Sequence, residues 1–90
     1  MVAVKFTKAL QGHVSAPPAD VDGATVRGAL DAYFADHSGV RGYVLDEQGV
    51  LRKHVTVFVD GEQVRDRSLD QSIAAGAELY VMQALSGGMT

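Results

Sequence analysis

Cysteine is absent from the 90 residues, which excludes a disulfide framework, a thiolate zinc site and a cysteine nucleophile at once. No apolar run approaches the roughly 20 residues needed to cross a bilayer. The opening Met1-Val2-Ala3-Val4-Lys5 does not have the layout of a secretory signal, so the cytoplasm is the expected compartment. Charge is sparse and scattered, with eight Lys and Arg against eleven Asp and Glu for a net charge of -3. Without a block of one sign, neither nucleic acid nor an anionic membrane is an expected partner. What the chain does have is apolar side chain, 47% hydrophobic against 21% charged. That is enough to close one modest core, and the length leaves no room for a second.

Catalytic patterns are missing as well. His13, His37 and His54 lack the i, i+4 pairing of a helical metal site, and they read as structural or solvent-exposed. Ser38-Gly39-Val40-Arg41-Gly42 is not a nucleophile elbow, and no glycine-rich loop ends in Gly-Lys-Ser or Gly-Lys-Thr. The carboxylate pairs Asp20/Asp22 and Asp46/Glu47 fall in expected turns, where Asp commonly bonds its own backbone. No bound cofactor and no metal are expected, and the chain does not read as an enzyme.

Periodicity organises the rest. Val2, Val4 and Phe6 alternate with Ala3, Lys5 and Thr7, a half-buried strand. Gln11-Gly12 suggests a turn, with His13 to Ala16 returning as a second strand that Pro17-Pro18 would end. Thr25 is a suitable N-cap for an amphipathic helix over 25–37 carrying Val26, Leu30, Tyr33 or Phe34 and His37, stopped at Ser38-Gly39. Residues 39–53 read as a loop with one short strand near Tyr43 to Leu45. Val55, Val57 and Val59 then mark a strand ending in the hairpin dipeptide Asp60-Gly61, with a return at Gln63 to Arg65. Leu69 to Ala75 suggests a helical turn, and Leu79 to Ala84 a last strand.

Two hairpins around one helix, with a final strand arriving late, predict an α+β fold of the β-grasp, or ubiquitin-like, type. A mixed sheet of four or five strands would pack on one helix, with the last strand parallel to the first in its middle. A ferredoxin-like sandwich would need a second full-length helix, and 69–75 is too short for it. The expected core is Val4, Phe6, Val26, Leu30, Val57, Val59, Leu79 and Val81. The domain is expected over 1–85, with a tail over 86–90.

That tail, Ala84-Leu85-Ser86-Gly87-Gly88-Met89-Thr90, is uncharged and carries a diglycine just past the last strand. Glycine lacks a Cβ, so such a pair can thread a narrow slot and bring a backbone carbonyl close to another protein's catalytic groups. Extended, Leu85 to Gly88 would reach about 13 to 14 Å. If Val55, Val57, Val59, Leu79 and Val81 face the helix, alternation places Phe58, Tyr80 and Met82 on the opposite face beside the root of the tail. Exposed aromatics and methionine together suit a partner-binding surface.

Val55 to Arg65, then Gly76-Ala77-Glu78-Leu79-Tyr80-Val81, then Ala84-Leu85-Ser86-Gly87-Gly88, taken in that order, resemble the ThiS/MoaD family of ubiquitin-like sulfur carriers. Asp22 to Leu30 is similar to that family's turn into its helix, and the loop over 39–53 resembles the larger, cysteine-biosynthesis carriers. The chain departs from the pattern in having Gln83-Ala84 where proline is common, and in carrying Met89 and Thr90 after the second glycine. The resemblance implies that a ubiquitin-activating-type enzyme uses ATP and magnesium to adenylate the Gly88 carboxylate. Sulfide or a persulfide then replaces AMP to give a thiocarboxylate for a sulfur-accepting biosynthetic enzyme, in a route to cysteine, thiamine, molybdopterin or a similar product. Ser86 and Gly87 would be the flexible arm. The bond between Gly88 and Met89 would be the processing site of a metalloprotease. Two other readings stand beside it: a protein modifier conjugated through Gly88, and a non-covalent β-grasp adaptor.

Overall fold

The computed structural model describes residues 1–12, 14–66 and 68–83. Strand β1 (Val2–Phe6) is followed by one helical turn, α1 (Lys8–Gln11), and by the short strand β2 (Ala19–Val21). Helix α2 (Val26–Asp36) leads directly into α3 (Ser38–Val44); β3 (Val55–Val59), β4 (Glu62–Gln63) and β5 (Glu78–Gln83) complete the order. The five strands form one sheet in the order β2-β1-β5-β3-β4. β5 runs parallel to β1, with Val4 opposite Leu79 and Phe6 opposite Val81, and antiparallel to β3, with Val57 opposite Val81. The last strand therefore lies between the first and the third, as the β-grasp expectation requires.

Burial follows the alternation. Val2, Val4, Phe6, Val55, Val57, Leu79 and Val81 turn inward and share one buried core cluster with Val26, Ala29, Leu30, Tyr33 and Phe34, which α2 supplies at helical spacing. Val59 is half-buried and packs at the margin of this cluster. Thr25 caps α2 as expected, its hydroxyl accepting from the Gly28 amide at 3.0 Å. The fully buried Tyr33 ring lies 4.9 Å from that of Phe6, and its hydroxyl donates to Pro17 O at 2.6 Å. Burial raises the pKa of that hydroxyl.

Four expectations are corrected. The second strand is not at His13 to Ala16 but beyond the prolines at Ala19–Val21, pairing Val2 with Val21; proline cannot donate to a ladder, whereas Ala19 to Val21 can. His13 lies outside the described residues. Tyr43 to Leu45 is not a strand: Val40 and Val44, four apart, are both buried by forming α3 instead. The return strand is Glu62–Gln63 in place of Gln63 to Arg65, although Val64 N still donates to Val57 O. Leu69 to Ala75 is not helical. Its carbonyls are used elsewhere, Gln71 O accepting from Val26 N and Leu69 O from Arg27 N, so the segment satisfies amides of the first turn of α2.

Candidate functional site

The sheet has one face under the helices and one open. On the open face Phe58 stands directly across from Tyr80, Thr56 from Met82, and Lys5 from Tyr80 on the other side. Phe58 and Tyr80 are half-buried, while Met82 is 38% exposed, one of few large apolar side chains the described surface leaves so open. Together with Gly61 and Glu78 these three line an open groove of about 330 Å³. The expected partner-binding residues are thus brought together on one face, at the strand that leads to the tail. The rim carries an ion pair, Lys5 Nζ to Glu78 Oε1 at 3.5 Å; being exposed, it adds little stability.

Sequence reasoning missed Gly61, Glu78 and Lys5. Glu78 shares the parity of Tyr80 and Met82, and Lys5 that of Ala3, so the same alternation would have placed both on this face. Gly61 enters through the Asp60-Gly61 turn, where both residues have positive φ, 50° and 89°. Asp60 Oδ1 accepts from Glu78 N at 2.9 Å, which fastens the hairpin tip to the start of β5.

The groove is lined by two aromatic rings, a methionine, a glycine and one carboxylate, Glu78. Among the described residues no group of three or more His, Asp or Glu could hold a metal ion. The His37 ring stacks on Tyr33 with centroids 4.3 Å apart, and His54 is exposed. Asp46 does what the turn reading expects, accepting from Gln48 N and Val50 N at 2.8 and 3.0 Å. Those bonds, the one from Val50 first, lower its pKa. Asp66 is likewise lowered, chiefly by the Ser68 side chain. No helix among the described residues is long and apolar enough to cross a membrane. Ser86, Gly87, Gly88 and Met89, and with them the domain boundary expected at residue 85, lie outside the described residues.

Comparison with known proteins places this geometry. Residues 12–88 match the ThiS family. Small archaeal modifier protein 1 of Haloferax volcanii is 40% identical over 70 residues, 77% of each chain. Its crystal structure superposes with a TM-score of 0.78 at 33% identity, over 97% of this chain and 98% of that one. The BexX/CysO complex of Amycolatopsis orientalis contains a chain that superposes with a TM-score of 0.82 at 27% identity, over 98% of this chain and all of that one. CysO of Mycobacterium tuberculosis gives 0.79 at 25% identity, over 94% of this chain and all of that one. The chain belongs to the ThiS family, the ubiquitin-like β-grasp proteins that include sulfur carriers and small modifiers.

Proposed function

We infer that this protein is a sulfur carrier and acts as a cosubstrate, presenting the carboxylate of Gly88 to a ubiquitin-activating-type enzyme. That carboxylate attacks the α-phosphorus of ATP, with magnesium held by the enzyme, and pyrophosphate leaves. Sulfide then attacks the acyl carbon, AMP leaves and a thiocarboxylate remains for a sulfur-accepting biosynthetic enzyme. Where a persulfide is the donor, its outer sulfur forms an acyl disulfide as AMP leaves, and a thiol of the donor system cleaves the S–S bond, forming a disulfide and releasing the same thiocarboxylate. Ser86 and Gly87 serve as the arm. A cysteine-free chain has no thiol on which to carry sulfur, and a terminal acyl group supplies the alternative.

The observation that carries this reading is the family match, which runs from residue 12 through β2 to β5 and ends on Gly88, the residue to be activated. The open face supports it. A groove of Phe58, Tyr80 and Met82 beside β5 gives an enzyme a surface to grip while the tail reaches inward. A CysO chain solved as a complex is consistent with docking of this kind. Incubation of a chain ending at Gly88 with the adenylating enzyme of its own host, ATP, magnesium and a sulfide source should add 16 mass units, the exchange of one oxygen for sulfur. No pyrophosphate release and no mass change would defeat the reading.

The 40% identity to a protein named as a modifier favours a second use of the same chemistry. In it the activated Gly88 acyl group is transferred to a lysine amine, AMP leaves and an isopeptide forms. Isopeptide-linked Gly88 on other host proteins is its signature.

A further inference from the structure

Two polar atoms at one end of the sheet have no partner among the described residues. Thr7 Oγ1 and Gln83 Oε1 are both buried, and neither has a hydrogen bond among the described residues. Buried polar atoms are almost always paired, so an exception asks for a reason. Thr7 follows β1 and is the N-cap residue of α1, yet its hydroxyl makes no capping bond. Its amide donates to Val81 O at 3.1 Å, which holds it against β5. Gln83 ends β5, opposite Val55.

Because Phe6 pairs with Val81 in parallel register, Thr7 and Gln83 stand at the same end of neighbouring strands, where the chain passes from β5 to Ala84. Alternation continues the open-face series Ala3, Lys5 to Thr7, and the helix-side series Leu79, Val81 to Gln83. The two therefore lie on opposite faces of the sheet at the end of β5 that precedes the tail. Packing alone gives no reason for a carboxamide beside the fully buried Val55 and Val81. A methionine of similar length would leave no orphan acceptor, so glutamine here weakens the free protein. Residues that lower stability without serving the core mark functional positions.

We propose that Gln83 and Thr7 are positioning residues for activation. When the adenylating enzyme docks, its backbone N–H groups or basic side chains donate to the Gln83 carboxamide oxygen and the Thr7 hydroxyl, and so set the direction in which the tail leaves the sheet. Both residues are half-buried, not fully enclosed, and the terminal torsion of glutamine is soft, so the carboxamide can turn outward to meet a donor. The unpaired state belongs to the free carrier and the paired state to the complex, so the difference strengthens docking. This rests on the carrier reading above.

The inference predicts effects of opposite sign on stability and activation. In a chain ending at Gly88, Gln83→Met and Thr7→Val should melt at or above the parent temperature. Each should raise the KM for the carrier in pyrophosphate release by about tenfold, the scale of one lost hydrogen bond, with kcat unchanged. Thr7→Ser, which keeps the hydroxyl, should restore the parent KM. An unchanged KM for both variants, or a clear fall in their melting temperatures, would overturn the proposal; the fall would mean that the two atoms are already satisfied in the free protein. A parent chain that releases no pyrophosphate would instead defeat the carrier reading underneath, and the same assay shows which of the two has failed.

Discussion

Gly23 stands at the turn into α2, where an added Cβ would lie 2.5 Å from Ala29 N and 2.7 Å from Ala29 Cα. Neither atom can move without moving the helix, so Gly23→Ala should cost about 1 to 3 kcal/mol in chemical denaturation. Gly42, inside α3, has nothing within 4 Å of the same added atom, so Gly42→Ala should stabilise by about 0.5 to 1 kcal/mol through helix propensity. Leu30 is fully buried, and Leu30→Ala should cost about 2 to 5 kcal/mol. Asp46 makes stability depend on pH. The amides of Val50 and Gln48 favour its ionised form in the fold, so its folded pKa lies below the ordinary value and the native state binds the proton less readily than the unfolded chain. The support is complete above the ordinary value of 3.8 and is lost as pH falls through the lower folded one. Melting temperatures of the parent and of Asp46→Ala should therefore differ at pH 7 and converge in acid. A gap that persists unchanged at low pH would assign the effect to packing.

Where elements were legible, local pattern and tertiary demand agree. β1, β3 and β5 show period-2 alternation because one face of each is buried, and α2 shows its cap and its apolar stripe in consecutive residues. α3 was not legible. Gly39 and Gly42 lower its intrinsic propensity, and its apolar face consists of Val40 and Val44, so only the core into which these fit makes it a helix. The 69–75 segment was misread for a related reason: its carbonyls serve amides more than forty residues earlier in the chain, Arg27 N at 2.8 Å from Leu69 O among them. The Arg27 guanidinium adds bonds to Ser68 O and Gly49 O. No local window contains such partners. The open face was legible because parity alone sorts Phe58, Tyr80 and Met82 from the core, whereas parity cannot show that Thr7 Oγ1 and Gln83 Oε1 lack partners among the described residues. Strand pairing also predicts how the face tolerates change. Phe58→Ala and Tyr80→Ala remove side chains from the open side and should leave the circular dichroism spectrum unchanged. Each should raise the KM for adenylation by about thirtyfold, a loss of about 2 kcal/mol, if these aromatics anchor the partner. Parent-like kinetics from a folded double variant would place docking on another surface.

At the scale of the whole molecule, β5 lies in the middle of the sheet and is the last described element before the tail residues. β5 is hydrogen-bonded on both sides, to β1 as far as Val81 and to β3 as far as Gln83, so a partner gripping the open face would hold the strand that precedes the tail. Adenylation needs a free carboxylate on the residue that reaches the enzyme's centre. In this chain the Gly88 carbonyl is in an amide to Met89, and the β-branched Thr90 follows. A slot that admits glycine because it lacks a Cβ should reject both added side chains. We therefore expect residues beyond Gly88 to block activation until a protease cuts there. A metal-dependent enzyme suits that step, since a bound metal activates water toward a peptide carbonyl without needing a nucleophile from the carrier. The test compares chains ending at Thr90 and at Gly88 in pyrophosphate release with the host's adenylating enzyme. The longer chain should be inert and the shorter active, and treatment of the longer one with host extract should restore activity together with the mass of a chain ending at Gly88. A chelator added to the extract should prevent that restoration and leave the shorter chain's activity intact once excess magnesium is returned. Equal activation of both chains would show that the slot tolerates the extension and that no processing step is required.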